Sequence, residues 1–287
     1  MEKIIEIKNL CKSYGKVKAV ENISFEVNEG DFFAFIGPNG AGKSTTIRTL
    51  LGLIKADSGE AKVMGLPLEK SVEYLKKIGY LPSEAVFYNN MKVGELISYS
   101  AKLRGLDCSE EAKKLCEILE LDTKKRIDQL SLGNRKKVGI VCAMQHKPEL
   151  YIMDEPTSGL DPLMQKEFFK LLHSRQKEGA TVFFSSHVLS EVQNNCSKAA
   201  IIRQGKIVAV DSIDNLSKTN AKKITLYGVN TLPESFGCKP SSVGENSISF
   251  FYNGKVKTLI RELSEMDITD LTITEPDLDE VFMHYYE

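Results

Sequence analysis

Ile5 and Ile7 alternate with polar neighbours, and Ile23, Phe25 and Val27 repeat the pattern, so the first stretch of the chain predicts strands with one buried face. After the turn Asn28-Glu29-Gly30-Asp31, Phe32 to Ile36 runs apolar without a break, as a central strand covered on both faces does. A glycine-rich loop follows, then a helix expected over 44–53, a turn at Asp57-Ser58-Gly59 and a short strand at 62–64. From residue 93 the period lengthens to that of helices. Leu96, Ile97, Ala101 and Leu103 mark one, Leu115, Ile118 and Leu119 a second, and Val138, Val141 and Cys142 a third. Strands at 150–153, 181–184 and 199–203 then alternate with helices at 162–177 and from 188, and a hairpin turn at 203–206 leads into a strand at 207–210.

Such alternation predicts an α/β fold with a mostly parallel sheet covered by helices. The helical stretch, residues 85–146, reads as an insertion between two strands of that sheet. Beyond residue 217 the character changes: strands at 224–227, 248–252 and 271–274 with a helix at 255–265 predict a small α+β unit. The expected organisation is a main domain over 1–217 and an accessory domain over 218–287.

Composition narrows the picture. Apolar residues make up 42% and charged residues 27% of the 287, an ordinary globular balance that excludes a disordered chain. With 38 Lys and Arg against 39 Asp and Glu there is no basic surplus, so no nucleic-acid partner is expected. No run approaches the roughly 18 apolar residues that a membrane-spanning helix needs. Met1-Glu2-Lys3 leads directly into the first strand without a secretory signal, and a cytoplasmic chain is expected. Cysteines at 11, 108, 116, 142, 196 and 238 form no CxxC pair and read as free thiols.

The candidate chemistry begins at Gly37-Pro38-Asn39-Gly40-Ala41-Gly42-Lys43-Ser44-Thr45, which fits G-x-x-x-x-G-K-[ST] between a buried strand and a helix. Glycines let backbone N–H groups close around phosphate oxygens, and the helix N-terminus adds partial positive charge. In that motif Lys43 reaches the β- and γ-phosphates and Ser44 offers its hydroxyl to Mg²⁺. Leu150 to Met153 is an apolar strand that ends in Asp154-Glu155, which places both acids at the carboxyl edge of the sheet, where open α/β sheets bind ligands. Asp154 is expected to hold the metal directly or through water, and Glu155 to polarise the attacking water. His187, after the strand at 181–184 and Ser185-Ser186, leaves the same edge and can orient that water or donate to a γ-phosphate.

Taken together these residues resemble the ATP-binding subunits of ABC transporters over residues 1–217. Pro156-Thr157-Ser158-Gly159-Leu160-Asp161 is similar to that family's D-loop, and His187 to its switch histidine. The resemblance implies that Tyr14 stacks on adenine, where spacing alone would make it a strand-end core residue. Leu130-Ser131-Leu132-Gly133-Asn134 stands in the place of the family's LSGGQ signature, which implies that Ser131 and Gly133 hold the γ-phosphate of ATP bound to a partner subunit. Leu132 replaces a glycine and Asn134 a glutamine. Ser83, in Gly79-Tyr80-Leu81-Pro82-Ser83-Glu84, replaces the family's metal-facing glutamine and keeps a hydroxyl for the metal or its water. Phe87, Tyr88 and Met91 just downstream suit either a permease contact or burial in the helical subdomain. Glu275 to Phe282 resembles the tail of ATPase subunits of ABC-2-type and bacitracin-resistance-like exporters.

The resemblance therefore implies an ATPase that uses ATP and Mg²⁺, works as a homodimer or a heterodimer with another ATPase subunit, and sits peripherally on the inner face of the cell membrane against membrane-spanning permease subunits. Two other classes fit part of the pattern. A soluble ABC-type switch in translation or repair would carry fused cassettes or a coiled-coil insertion, and neither is present in the sequence. A turnover-deficient ATP-binding partner would more often lack one of Lys43, Asp154, Glu155 and His187, and all four are here.

Overall fold

The computed structural model describes residues 2–84, 86–217, 222–229, 231–232, 236, 238, 240–244 and 246–274. The chain divides into two compact units, Met1–Ile213 and Asp214–Glu287. In the first, β1 (Lys3–Tyr14), β2 (Val17–Asn28), β3 (Phe32–Ile36), α1 (Lys43–Leu50), β4 (Ser58–Val63) and β5 (Leu66–Pro67) follow in order. Next come α2 (Ser71–Leu75), β6 (Ile78–Leu81), α3 (Val93–Leu103), α4 (Ser109–Ile118) and α5 (Leu132–Met144). The unit closes with β7 (Leu150–Asp154), α6 (Pro162–Lys177), β8 (Thr181–Ser186), α7 (Leu189–Asn195), β9 (Lys198–Arg203) and β10 (Lys206–Ser212).

Two sheets result. The antiparallel one has the order β2-β1-β4-β5, and the other has the order β10-β9-β3-β8-β7-β6, parallel throughout except for β10 at its edge. β3 and β7 are buried at every position, as their unbroken apolar runs require. The expected insertion is present: α3, α4 and α5 lie in the crossover between β6 and β7, which are parallel neighbours. One core joins Ile5, Ile7, Ile23, Phe25 and Val27 of the antiparallel sheet to Phe33, Phe35, Ile47, Ile152 and Phe183. On the opposite face Phe32 and Phe184 pack with Phe169 of α6, with ring centroids 5.8 to 6.5 Å apart.

Several boundaries differ from those the sequence predicts. The first helix begins at Lys43 and ends at Leu50, where the N–H groups of Leu53 and Ile54 bond back to the Arg48 carbonyl (2.9 and 3.4 Å) and satisfy an orphan acceptor. The strand expected at 62–64 begins at Ser58, because its first half pairs with β1 (Cys11 opposite Ser58), and it stops at Val63, where Met64 turns into the left-handed region (φ 53). β6 was unpatterned in sequence because only four residues separate Lys77 from Pro82. Leu103 and Ile118, expected on the inner faces of their helices, are 69% and 41% exposed, since each lies at the last turn of its helix.

α8 (Ile213–Ser217) starts at the last residue of the first unit, and the second unit continues with β11 (Lys222–Tyr227), β12 (Pro240–Val243), β13 (Ser247–Tyr252), α9 (Val256–Leu263) and β14 (Asp270–Thr274). The sheet has the order β12-β13-β11-β14, and Ile224, Leu226, Ile248 and Phe250 pack against Leu259 and Leu263 of α9. The segment Glu275 to Phe282, which carries the exporter-like tail resemblance, lies outside the described residues. All six cysteines are free.

Candidate functional site

The glycine-rich loop leaves β3 at the middle of the parallel sheet, between β9 and β8, and ends at α1. Backbone ties fix it: the Gly37 N–H donates to the Ser186 carbonyl at the end of β8 (3.3 Å), the Ala41 N–H closes the turn onto the Pro38 carbonyl (3.1 Å), and the Gly205 N–H donates to the Ala41 carbonyl (3.0 Å). Asn39 and Gly40 stand exposed at the tip, and Ala41 and Gly42 are buried. Gly42 is required twice over, by its left-handed φ of 110 and because a Cβ there would come within 2.4 Å of the Ala19 carbonyl oxygen. Lys43 is buried, and its ammonium donates to the Gly37 (2.7 Å) and Pro38 (3.1 Å) carbonyls. Ser44 and Thr45 follow in the first turn of α1, where backbone N–H groups have no partner within the helix.

The acids at the end of β7 meet this loop. Lys43 Nζ lies 3.2 Å from Glu155 Oε1, and His187 Nδ1 lies 3.3 Å from Glu155 Oε2. Glu155 is thus the bridge between the loop lysine and the histidine beyond β8. Its backbone sits in the left-handed region (φ 46), a conformation that costs a side-chain-bearing residue on the order of 1 kcal/mol or more and that recurs at functional sites. The Ser185 hydroxyl supports both acids: it accepts from the Glu155 N–H (3.0 Å) and donates to Asp154 Oδ1 (2.6 Å). Ser185 was not singled out in the sequence; the parallel pairing of Asp154 with Ser185 is what gives it this role. Asp154 is fully buried, and its Oδ2 has no hydrogen-bond partner.

Ser83 follows β6, the neighbour of β7, and lies at the same edge because Leu81 is paired with Met153. Its backbone carbonyl accepts a hydrogen bond from Lys136 of α5 (2.9 Å), as does that of Pro82 (3.1 Å). Lys136 is another residue that sequence reading missed, since a lysine in a charged helix turn carries no signal of burial. Tyr14 ends β1 and is 50% exposed, so it is an open aromatic face and not a core residue; Lys12 Nζ stands 5.7 Å from its ring centroid. Downstream, Tyr88 is 67% exposed and edge-on to Tyr99 at 6.5 Å, whereas Phe87 and Met91 are half-buried.

The signature-like segment is built differently. Ser131 caps α5, accepting from the Asn134 N–H (3.3 Å), and Gly133 lies against the Gly159 carbonyl so closely that a Cβ would be 2.6 Å from it. Leu132 is 71% exposed and leans over Gly159, where a Cβ would meet its Cγ at 3.3 Å. Asp161 caps α6, accepting from the N–H groups of Leu163 (3.1 Å) and Met164 (3.0 Å). Among the described residues no hydrogen bond or ion pair joins Ser131 or Gly133 to Lys43, Asp154, Glu155 or His187.

Comparison with known proteins gives the family and the fold. The sequence model of the ABC transporter family matches residues 20–158. The bacitracin transport ATP-binding protein BcrA of Bacillus licheniformis is 36% identical over 298 residues, spanning 99% of this chain and 97% of that protein. The linearmycin resistance ATP-binding protein LnrL of Bacillus subtilis (strain 168) is 32% identical over 306 residues, spanning 98% and 97%. A solved ATP-binding subunit of an ABC transporter superposes with a TM-score of 0.69 at 31% identity over 74% of this chain and 91% of its own. The dimeric cassette MJ0796 bound to ADP and Pi shares the fold, with a TM-score of 0.67 at 22% identity over 73% of this chain and 98% of its own.

Proposed function

Since the chain belongs to the ABC transporter family of ATP-binding proteins, we propose that it hydrolyses ATP in a sandwich of two such subunits and thereby drives export through separate membrane-spanning permeases. The observation that carries this reading is Glu155, held between Lys43 and His187 at the mouth of the glycine-rich loop.

In this reading the loop N–H groups and Lys43 bind the β- and γ-phosphates, Tyr14 stacks on the base, and Glu155 accepts a proton from the water that attacks the γ-phosphorus. His187, on the far oxygen of Glu155, orients the carboxylate and the water. The unpartnered, fully buried Asp154 Oδ2 fits a divalent cation, because a buried carboxylate oxygen left bare is costly. Asp154 and the Ser44 hydroxyl would hold Mg²⁺, with Ser83 at the edge of the same site, and the ion would neutralise charge on the β- and γ-phosphates.

Ser131 and Gly133 serve the second copy, where they complete the site around its γ-phosphate, and Asp161 closes the D-loop beside them. The second subunit is a copy of this chain or a related ATPase. Near-complete matches to proteins named for bacitracin transport and linearmycin resistance support export of an antibiotic-like cargo. No helix among the described residues is long and apolar enough to cross a membrane, which supports a spanning partner on another chain and a peripheral place on the cytoplasmic face. The exposed Tyr88–Tyr99 pair beside the Ser83 turn suits that contact.

The test is steady-state ATP hydrolysis across a range of protein concentrations, with Glu155→Gln in parallel. A rate per chain that rises with concentration and falls at least a hundredfold in the variant is the expected result. Wild-type turnover in Glu155→Gln would remove Glu155 from the role of base.

A further inference from the structure

Helix α5 lies against β6 in close contact: a Cβ on Gly79 of the strand would come within 2.2 Å of the Ala143 carbonyl oxygen. The helix is also pinned to both ends of that strand. At its C-terminal side His146 Nε2 meets the Ile78 carbonyl (3.1 Å). Near its N-terminus Lys136, only 3% exposed, donates to the Pro82 and Ser83 carbonyls just past the strand.

Lysine is rarely buried this far without a carboxylate within ion-pair distance. Among the described residues Lys136 has no such partner, and its hydrogen-bond acceptors are two neutral carbonyls. Simple packing of α5 on β6 would be served as well by methionine, since burying an ammonium is costly. What the position offers a cation is the field of Asp154 and Glu155, the two acids at the end of the adjacent strand. Burial draws the Lys136 ammonium down to a pKa of about 8, and these two acids pull the other way.

We propose that Lys136 is a positioning residue for ATP hydrolysis, one that holds the Pro82–Ser83 turn at the sheet edge and ties it to the helix whose N-terminus presents Ser131 and Gly133. The proposal rests on the sandwich reading above. Lys136 stands three residues beyond Gly133, about 4.5 Å along the axis of a rigid helix. A shift of that N-terminus on a neighbouring γ-phosphate therefore moves the Ser83 turn directly, without passing through the exposed segment at Tyr88–Asn90. One residue thereby links the ATP that a chain binds to the ATP that it contacts on its partner.

The test uses the full chain with Lys136→Met, which keeps an unbranched side chain one atom shorter and removes charge and donors, and Lys136→Gln, which restores a donor. Hydrolysis kinetics are measured together with hydrogen–deuterium exchange over 79–84 and 37–45, with and without Mg-ATP. Expected for Lys136→Met are a kcat at least tenfold lower, a KM within about threefold of wild type, and loss of the ATP-induced protection over 79–84 with that over 37–45 retained. Lys136→Gln should recover part of both losses, and it stands in for the methionine variant should that one not fold. A folded variant with kcat within twofold of wild type and intact protection over 79–84 would overturn the proposal. Should wild-type hydrolysis fail to depend on Glu155, the function reading falls, and the exchange difference at 79–84 still decides the role of Lys136.

Discussion

Gly37–Thr45 and Leu130–Asn134 both lead into a helix, each proposed to meet a phosphate, and they are finished in opposite ways. The first is anchored within the chain: Gly42 is pressed on the Ala19 carbonyl, and buried Lys43 pairs with Glu155, whose other oxygen meets His187. The second faces outward, with Ser131 exposed and Leu132 among the most exposed apolar side chains of the described residues. Beneath it the Gly159 carbonyl lies close against Gly133. A phosphate site complete in one chain binds ATP alone, whereas one that presents a capped helix end to the outside acts only against a second surface. Binding and turnover should therefore come apart when the two turns are altered separately.

The largest effect expected is that of Lys43→Ala. It removes a charge-assisted contact to phosphate, a class of interaction in the range of about 1.5–3 kcal/mol, so equilibrium ATP binding by the monomeric chain should weaken roughly ten- to hundredfold and hydrolysis should vanish with it. Gly133→Ala should act on the other side of the comparison. Its Cβ would sit 2.6 Å from the Gly159 carbonyl and displace the helix end, so hydrolysis should drop at least tenfold while monomer affinity for ATP stays within about twofold. Titration of fluorescent nucleotide beside a turnover assay separates the two. Equal loss of monomer affinity in both variants would show that the turns are not divided in this way.

How much of this could be read in the sequence follows the same division. The glycine-rich loop, Asp154, Glu155 and His187 were legible because each follows a buried strand, and a buried strand announces itself as an apolar run; parallel pairing then carries all their ends to one edge. Ser185 and Lys136 were not legible, because their roles come from register and from a helix lying on a neighbouring strand. Asp154 faces Ser185 only once β7 pairs with β8, and Lys136 reaches Pro82 only once α5 lies on β6. The short elements, β6, β12, α2 and α8, escaped because four or five residues are too few to show a period. Spacing alone makes Tyr14 a strand-end core residue, and its 50% exposure corrects that reading.

A smaller effect probes the frame that holds the outward-facing turn. Burial, with a lesser push from Arg104, lowers the His146 pKa from 6.5 to about 4; its Nε2 is engaged by Ile78, and its Nδ1 is buried without a partner. A histidine whose folded pKa lies below its unfolded value binds fewer protons folded than unfolded between those values. Stability therefore falls as pH drops from 6.5 toward 4, by on the order of 2 kcal/mol for this half-buried ring. Urea denaturation at pH 7 and pH 4.5 should show this difference in the wild type and a shallower one in His146→Gln. Identical slopes in the two proteins would mean that α5 is not pinned to β6 through a neutral imidazole.

The smallest effect belongs to Leu132→Gly, and it bears on the point where this chain departs most from its family's signature. A side chain at that position would obstruct a phosphate if it pointed along the helix axis. It leans instead over Gly159, which has no Cβ to meet it. Glycine there should change turnover by less than about threefold and lower stability by no more than roughly 1 kcal/mol, the usual helix cost of glycine. A thermal melt and a hydrolysis assay on the same preparation suffice. A tenfold rise in turnover would show that Leu132 holds the neighbouring phosphate off, and the outward-facing turn would then be restrained by its own side chain and not merely incomplete without a partner.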